Sequence, residues 1–489
     1  MTMSCVIGID LGTSAVKALL LDERQAVLAS AEVALQTSHP EPLASEQDAD
    51  SWWAATVAAL DRLAHDVPAA MARVGAIGLA GQMHAAVLLD AADRPVRPAM
   101  LWNDGRAHAE ADALKRTGHE LACELGVPAM AGLTAPKLAW LARHDPAAMA
   151  RTRHILLTKD VIRLHLTGER ATDASDAAGT WLLDQARRNW SARAVEAVGI
   201  DRAWLPPIVE SSAASGTLLA ELARRWGCGP GVVVAGGGDT PAGGVGIGAV
   251  QDGQAYVALG TSAQLFVAAD AHRPAPAQMV HAFCHALPGR WYQMAAMQNG
   301  AGVLAVVARL LGGGDVADLI AQVEAGFTGP SRLLVLPYLN GERTPHDDPR
   351  AQGVVMGLTS DTSRVDLAQA AMEGVAFAFA DARDALAAAG VRVREAGFIG
   401  GGARSRLWGR MIASVLGLPL HVYAGGAKGP AFGAARLAWL SLGHALADIV
   451  VTPAVEETLL PDDRLAEAYA RRVADFRSLY TALQPEFKR

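Results

Sequence analysis

Two short turns carry residue types that bind phosphate groups. Leu11-Gly12-Thr13-Ser14 and Leu259-Gly260-Thr261-Ser262 are identical tetrapeptides, and each lies between two apolar runs typical of strands. Glycine allows the backbone to approach an anion closely, and the turn amides and hydroxyls supply clustered donors. A single copy would more readily be an ordinary hairpin. Two copies on facing domains can hold one polyphosphate between them.

Two aspartates lie beside such glycine-rich segments. Asp10 ends an apolar strand on the same face as Gly8, which directs it toward the mouth of the first turn. A carboxylate beside phosphates suits Mg²⁺ held directly or through water, and a solvated aspartate is the alternative. Asp239 follows another apolar strand, at the end where α/β sheets bind ligands. It also has the place of a helix N-cap, because Thr240 and Pro241 follow it.

Other motifs give weaker signals. Met83-His84 lies at a third strand end, where a lone histidine more often has only a structural role. Gly400-Gly401-Gly402 joins a strand to a helix, which suits a nucleotide at the helix N-terminus or simply a tight turn. The sequence contains no GxxxxGKS/T phosphate loop, no HExxH and no GxSxG.

The periodicity of apolar residues predicts alternating strands and helices. Strands are predicted at Val6–Asp10, Val16–Leu21, Ala26–Leu35, Val74–Leu79, Ala86–Leu89, Val232–Ala235, Gln254–Leu259, Gln264–Val267, Arg332–Leu336 and Ala396–Ile399. Helices are predicted at Ser51–Ala64 with Asp50 or Ser51 as N-cap, and at Thr240–Ala249, Gly302–Leu311, Ser363–Ala389, Ser405–Leu416 and Asp463–Leu483.

The repeated hairpin lies near the start of each half of the chain, which indicates an internal duplication. The glycine-rich stretch Gly243–Gly253 predicts a boundary that divides the sequence into residues 1–247 and 248–489. Two similar α/β domains facing each other would form a deep cleft. We expect this cleft to close on its ligands about hinges near Gly248–Gly253.

Composition excludes several classes of protein. Of the 489 residues, 51% are hydrophobic and 19% are charged, which rules out a disordered chain. The net charge is −7 without a basic block, so no nucleic-acid partner is expected. Four separated cysteines without a CxxC pair suit a reducing compartment, and no targeting or membrane segment is visible. We expect a cytoplasmic protein without a membrane partner, and a homodimer stays open.

Taken together, these motifs resemble those of the FGGY carbohydrate kinases. The resemblance runs from Val6 to about Leu440 and includes VIGIDLGTSAVKALLLD, GQMHAAVLLD, LWNDGRA, GGGDTPAGGVGIG, ALGTSA, NGERTPH, FIGGGARSRLW and KGPAFGAARLA. Gly132–His144 and Gly353–Glu373 fit the two long signatures of that family throughout. Such a match is far more specific than any single glycine-rich loop.

The resemblance implies two actin-like (ribonuclease H-like) ATPase domains, with sugar bound in the first and ATP mainly in the second. Asp239 would be the catalytic base, and Asp10 would act near the phosphates and Mg²⁺, directly or through water. The sugar contacts carried over are Met83, His84, Trp102, Asn103, Asp104, Asp239 and Thr240. The nucleotide contacts carried over are Gly12, Thr13, Ser14, Lys17, Gly260, Thr261, Gly302, Gly401 and Gly402.

The implied reaction transfers a phosphoryl group from ATP, with Mg²⁺, to a ketopentose, with the C5 hydroxyl of D-xylulose as first choice. Ribulose, gluconate or glycerol is the alternative within the class. An actin-like chaperone or filament ATPase has no use for GQMH, GGGD or the signatures. Thr240, where asparagine is expected, bears on the choice of sugar. Ala263, where many members have glycine, requires a negative φ.

Overall fold

The computed structural model describes residues 4–424 and 429–487, which fold around two seven-stranded sheets. Lys428, the first residue of the KGPAFGAARLA motif, lies outside the described residues. The first sheet contains β1 (Cys5–Leu11), β2 (Ala15–Asp22), β3 (Val27–Ala34), β4 (Val74–Gly81), β5 (Ala214–Thr217), β6 (Val232–Val234) and β7 (Gly237–Gly238). The second contains β8 (Ala255–Leu259), β9 (Ala263–Ala269), β10 (His281–Cys284), β11 (Trp291–Met297), β12 (Ala396–Ile399), β13 (Leu420–Tyr423) and β14 (Val455–Leu459).

Both sheets are built on the same pattern of strand pairing. The first has the order β5-β6-β4-β1-β2-β3, with β7 also paired to β4, and the second has the order β10-β11-β9-β8-β12-β13-β14. In each sheet a hairpin, β1–β2 or β8–β9, is antiparallel, and its first strand pairs in parallel with β4 or β12. The predicted α/β class with two related sheets is therefore confirmed.

Helices and small strand pairs surround the two sheets. The helices are Ala49–Asp66, Pro68–Met71, His108–Lys115, His119–Leu125, Thr134–His144, Pro146–Arg151, Thr158–Thr167, Ala174–Ala177, Ala192–Val198, Ala220–Trp226, Asp239–Ile247, Gly302–Leu310, Val316–Gly326, Arg364–Ala388, Arg406–Leu416, Pro430–Ser441, Leu446–Ile449 and Asp463–Phe487. The small pairs are Glu46–Gln47 with Ala99–Met100, Val87–Leu89 with His154–Leu156, Thr172–Asp173 with Ile208–Val209, Leu183–Asp184 with Asn189–Trp190, and Leu334–Pro337 with Gly353–Met356. No helix in the described part of the chain is both long and apolar enough to cross a membrane.

Side-chain caps account for several helix starts. Ser363 and Ser405, predicted as the first residues of two helices, are the N-caps of those helices, which begin one residue later. The cap predicted for the first helix is wrong. Asp48, rather than Asp50 or Ser51, is the N-cap there, and its carboxylate accepts the backbone N–H of Asp50 at 3.0 Å. Both aspartates are good caps, so the sequence alone does not fix the starting residue.

One helix of the second half packs against the first sheet. This helix, Pro430–Ser441, is the crossing helix, and it also packs on Asp239–Ile247, the Asp239 helix. Glycines allow the approach, because a Cβ at each would fall almost on a facing carbonyl oxygen. A Cβ on Gly8 would lie 1.9 Å from the carbonyl oxygen of Ala431. A Cβ on Gly78 would lie 1.8 Å from that of Ala434, and a Cβ on Gly433 would lie 1.8 Å from that of Ala242.

Arg436 fixes the end of the Asp239 helix. Its guanidinium donates to the carbonyl oxygens of Val245 at 2.8 Å and Gly246 at 3.2 Å. These are carbonyls in the last turn of that helix, where intrahelical partners are lacking. The crossing helix therefore holds the element whose first residue is Asp239.

The two halves touch in this structure. The backbone N–H of Ala282 donates to the carbonyl of Gly126 at 2.9 Å, and Lys115 forms an ion pair with Asp347 at 2.5 Å. At the predicted hinge, a Cβ on Gly248 would lie 2.9 Å from the backbone of Thr452. Closure about this hinge stays a prediction.

Candidate active site

Two carboxylates lie near each other where the first sheet ends. Asp10 is paired with Ala80 of β4, and Gly238, which precedes Asp239, is paired with Gly81 of β4 on its other side. Burial and, to a smaller extent, the charge of Asp239 raise the pKa of Asp10 to about 7, against the opposing effect of Lys17. Burial also raises the pKa of Asp239 to about 6. Both groups can therefore change charge near neutral pH.

The N-cap interpretation of Asp239 is wrong. Gly238 is the N-cap, and Asp239 is the first residue of the Asp239 helix. Its Oδ1 accepts the backbone N–H of Thr240 at 2.7 Å, which orients the carboxylate. The second oxygen can then accept a proton. Two glycines directly before Asp239 extend the backbone as β7, so that the helix starts one residue earlier than the side-chain pattern suggests.

The ring of His84 is held in one orientation. Its Nδ1 lies 2.7 Å from the carbonyl oxygen of Gly179, so Nδ1 carries the proton and Nε2 presents a lone pair. Burial is the main cause that holds the pKa of this ring well below its usual range. The neutral ring can accept a hydrogen bond from a sugar hydroxyl.

The backbone of His84 is pinned as well. Its φ of 72° is unusual for a residue with a side chain. Its carbonyl oxygen accepts from Thr134 Oγ1 and Lys137 Nζ, both at 3.0 Å, and Lys137 also donates to Gly132 at 2.7 Å. Burial lowers the pKa of Lys137 to about 7. Both donors lie in the Gly132–His144 signature, which therefore positions His84.

Glycines allow the side chains of Met83 and His84 to pack closely against neighbouring segments. A Cβ on Gly179 would lie 2.4 Å from Nδ1 of His84, and a Cβ on Gly238 would lie 2.6 Å from the sulfur of Met83. Gly238 is the residue directly before Asp239. The structure thus places Met83 beside the segment that carries Asp239, and the contacts of Met83, His84 and Asp239 with a sugar stay predictions.

Thr13 connects the first turn with the sugar residues. Its hydroxyl donates to Gln82 Oε1 at 2.9 Å and accepts from Trp102 Nε1 at 3.0 Å. Its one hydroxyl proton is therefore used within the protein. We conclude that the backbone of this turn, rather than the Thr13 side chain, is available to donate to phosphate. Sequence reasoning missed Gln82, whose own buried amide donates to Gln47 at 3.1 Å.

The LWNDGRA segment is divided between two environments. Trp102 faces the first turn, and Asn103 is exposed. Asp104 is buried, and its carboxylate accepts from Arg106 at 2.6 Å and from the Ser45 N–H at 2.9 Å. These contacts are internal to the first half. They give Asp104 a structural role in this arrangement, and its contact with sugar stays a prediction.

The remaining nucleotide residues of the first half surround the turn. The Gly12 N–H donates to the Ala15 carbonyl at 3.0 Å, which closes the turn. Ser14 and Lys17 are exposed. Lys17 is paired with Asp10 across the hairpin, so both side chains leave the sheet on the same face.

The predicted nucleotide residues of the second half converge on one turn. The backbone N–H groups of Gly300 and Gly302 donate to the Thr261 carbonyl at 2.9 and 3.2 Å. A Cβ on Gly402 would lie 2.4 Å from the side chain of Leu259, which precedes Gly260. The turn, the helix start at Gly302 and the Gly401–Arg404 turn therefore meet. Ala263 is the first residue of β9 and is not one of the described residues with positive φ. This agrees with the negative φ that the sequence requires of it.

The donor set suits Mg²⁺ shared with a nucleotide. No group of three metal-ligating side chains occurs among the residues that the structure describes. Mg²⁺ needs fewer, because it commonly binds one or two carboxylates, with phosphate oxygens and water completing its shell. Oδ1 of Asp10 is buried and has no hydrogen-bond partner in the described chain. Asp10, with Asp239 nearby, fits such an ion.

Two glycine-rich turns in equivalent hairpins of two related sheets, with the Asp10 and Asp239 carboxylates beside one of them, are the arrangement expected of a phosphotransferase with the actin-like ATPase fold. Models of the N-terminal and C-terminal domains of the FGGY family of carbohydrate kinases match residues 5–246 and 255–442. The chain therefore belongs to the FGGY family of carbohydrate kinases.

Individual relatives agree over the whole length. The chain is 44% identical to the xylulose kinase of Escherichia coli (strain K12) over 98% of this chain and 99% of that one. It is 43% identical to the xylulose kinase of Klebsiella pneumoniae, with the same coverage of 98% and 99%. Among solved structures, a xylulose kinase from Brucella ovis superposes with a TM-score of 0.93 at 41% identity, over 98% of this chain and 99% of that one.

The pinned ring of His84 leads to a first prediction. His84→Ala should raise the sugar KM and leave the nucleotide KM nearly unchanged, because the variant loses the expected contact to the sugar, besides the internal bond to Gly179, and none to the nucleotide. The expected loss in kcat/KM is about 5- to 150-fold. His65→Ala is the matched control, since that side chain is 88% exposed on the first helix. Steady-state kinetics would refute the assignment if His84→Ala kept the wild-type sugar KM.

Proposed function

We propose that the protein transfers the γ-phosphoryl group of ATP to the C5 hydroxyl of D-xylulose, which yields D-xylulose 5-phosphate and ADP. One observation carries the proposal. Met83 lies against Gly238, the residue before Asp239, and the neutral, acceptor-type ring of His84 follows Met83, in a chain that is 44% identical to a xylulose kinase over 98% of its length. A neutral acceptor and a hydrophobic neighbour suit an uncharged polyhydroxy substrate.

Asp239 is the base in this proposal. Its pKa of about 6 leaves it ionised at neutral pH and close enough to neutrality for efficient proton transfer. As the sugar oxygen forms its bond to the γ-phosphorus, the hydroxyl proton passes to the Asp239 carboxylate. The bond between the γ-phosphorus and the bridging oxygen breaks, and ADP leaves with that electron pair.

Positioning and charge neutralisation supply most of the remaining catalysis. The Gly12 and Gly260 N–H groups close their turns, so the other backbone N–H groups of the two turns would donate to the phosphates, and Lys17 adds a positive charge on the Asp10 face. Asp10, with Asp239, would hold Mg²⁺ directly or through water. When bound, Mg²⁺ neutralises phosphate charge.

The setting of the reaction is also a proposal. Cys5, Cys123, Cys228 and Cys284 are free thiols, which suits the reducing cytoplasm. The predicted substrates are the sugar and ATP, and a homodimer stays a prediction.

The experiment that tests this function measures ADP release against a panel of sugars. D-xylulose should give the highest kcat/KM among D-xylulose, ribulose, xylitol, gluconate and glycerol. Gluconate or glycerol in first place would contradict the ketopentose assignment. Stimulation by unfolded peptide, without stimulation by any sugar, would point instead to a chaperone-type ATPase.

Thr240 is the residue in which this site departs from the expected pattern. Its N–H binds Asp239, its side chain also hydrogen-bonds to that carboxylate, and its carbonyl accepts from the Tyr256 hydroxyl at 3.1 Å. We expect Thr240→Asn to shift the ranking of the sugars in the same panel, because an amide offers both a donor and an acceptor. An unchanged ranking would show that Thr240 does not select the sugar.

A further inference from the structure

A cationic side chain of the second half reaches into the sugar site of the first. The Arg343 guanidinium carbon lies 5.5 Å from the centroid of the Trp102 ring. One of its terminal nitrogens lies 3.3 Å from the position that a Cβ on Gly132 would take. Arg343 belongs to the NGERTPH motif, for which the reaction as described above has no use.

The donors of this guanidinium are unused by the protein. Within residues 4–424 and 429–487, no oxygen atom accepts a hydrogen bond from the Arg343 side chain. A guanidinium carries five N–H donors in a planar fork. A contact with the face of Trp102 satisfies none of them, so a bound molecule with several oxygen atoms is the natural partner.

The surroundings of Arg343 are the sugar residues themselves. Burial is the main cause of the lowered pKa of His84 and of Lys137, and the positive charge of Arg343 lowers both further. His281, a buried residue of β10, is affected in the same way. These effects place the guanidinium near the ring of His84 and near the lysine that pins its backbone.

The backbone that carries Arg343 is firmly held. Glu342 accepts the N–H groups of Arg343 at 2.8 Å and Gln298 at 2.6 Å. Thr344 donates from its backbone to Ala296 at 3.1 Å. The guanidinium is therefore presented from a rigid support, which lowers the entropy that it loses on binding.

The same segment is tied to the first half. Asp347 pairs with Lys115 at 2.5 Å, four residues beyond Arg343 in the chain. The arrangement of the two halves thus decides whether Arg343 is in the sugar site. If the two halves separated, this ion pair would break, and the Arg343 guanidinium would leave the sugar site at the same time.

We propose that Arg343 binds the sugar directly, by donating to neighbouring oxygen atoms of the substrate from the second half of the protein. This inference rests on the proposed function, and it adds a specificity residue to it. The sugar then contacts both halves, so that sugar binding favours the arrangement in which ATP and sugar meet. A lysine would keep the charge but lose the planar fork.

The test compares Arg343→Gln and Arg343→Lys with Arg394→Gln, an exposed arginine of the same half. We expect Arg343→Gln to raise the sugar KM about 10- to 100-fold, with Arg343→Lys in between. The ATP KM and the unfolding temperature should match those of Arg394→Gln. A wild-type sugar KM in Arg343→Gln would overturn the proposal, and so would equal losses of ATP and sugar binding.

Two further arms keep the result decisive. If Arg343→Gln does not fold, Arg343→Lys carries the test, because a wild-type sugar KM in that variant would refute the need for the fork. The wild-type panel reports separately on the proposed function. If a sugar other than D-xylulose ranks first, that function fails, and the Arg343 comparison is made with that sugar instead.

Discussion

Asp239→Asn should lower kcat by about 10²- to 10⁴-fold while the protein still folds and binds its sugar. The amide has nearly the same shape as the carboxylate, and its oxygen can still accept the Thr240 N–H that Oδ1 accepts at 2.7 Å. Gly238, not Asp239, is the N-cap, so the helix does not depend on this side chain for its start. The substitution removes the ability to take the sugar proton, together with the negative charge that Asp239 places near Asp10.

The measurement separates chemistry from folding. Turnover at saturating substrates, sugar binding by calorimetry and the unfolding temperature should be recorded for Asp239→Asn and for Asp315→Asn. Asp315 is a suitable control because its carboxylate caps a helix of the second half, through the Ala317 N–H at 2.8 Å. A folded Asp239→Asn protein with near wild-type turnover would exclude Asp239 as the base. Failure to fold would return this residue to a structural role.

Sequence patterns could identify the residues that lie at strand ends. The two turns, Asp10, Asp239 and the Met83-His84 pair all follow strands whose apolar character is visible in the sequence. The approach of Asp10, Asp239 and Met83 within the first sheet could also be expected, since parallel strands bring their carboxyl ends to the same edge of a sheet. Local sequence patterns can therefore predict which residues lie at strand ends, and a candidate role for each follows from that position.

What the sequence did not provide depends on contacts between distant segments. The occupied hydroxyl of Thr13 follows from Gln82 and Trp102, which come from separate loops. The Lys137 support of His84 crosses from a helix to a strand end, and Arg343 reaches the site from the other half. No local pattern predicts such partners, although the long signatures mark the segments that contain them.

The position of the crossing helix in the fold also depends on contacts between distant segments. By sequence position it belongs to residues 248–489, yet it packs on the first sheet. The signal was present in small residues, because Gly8, Gly78 and Gly433 leave space for a backbone. A single glycine in a strand or helix has many explanations, so its partner is known only from the structure.

Asp10→Asn should lower turnover. In the absence of ligands it should also make the protein more stable than wild type, by an amount that increases with pH. The pKa of Asp10 is raised from 3.8 to about 7 by burial and by Asp239. Between these values the folded protein retains a proton that the unfolded chain releases, so this group lowers the free energy of unfolding as pH rises. Asparagine has no charge to bury, and the gain should therefore be larger at pH 8 than at pH 5.

Unfolding temperatures at the two pH values measure this effect, with Asp66→Asn as a control whose side chain is 59% exposed. The activity arm follows from the fit of Asp10 to Mg²⁺, since loss of a group that acts on a metal through water typically costs about 10- to 100-fold in activity or metal affinity. Mg²⁺ with a non-hydrolysable ATP analogue should stabilise wild type more than Asp10→Asn. If the variant instead loses stability at pH 8, the Asp10 carboxylate is not a buried charge in the folded protein. If Mg²⁺ raises the unfolding temperature of both proteins equally, Asp10 does not act on the metal. Asp239 would then be the only one of the two carboxylates with a role in the reaction.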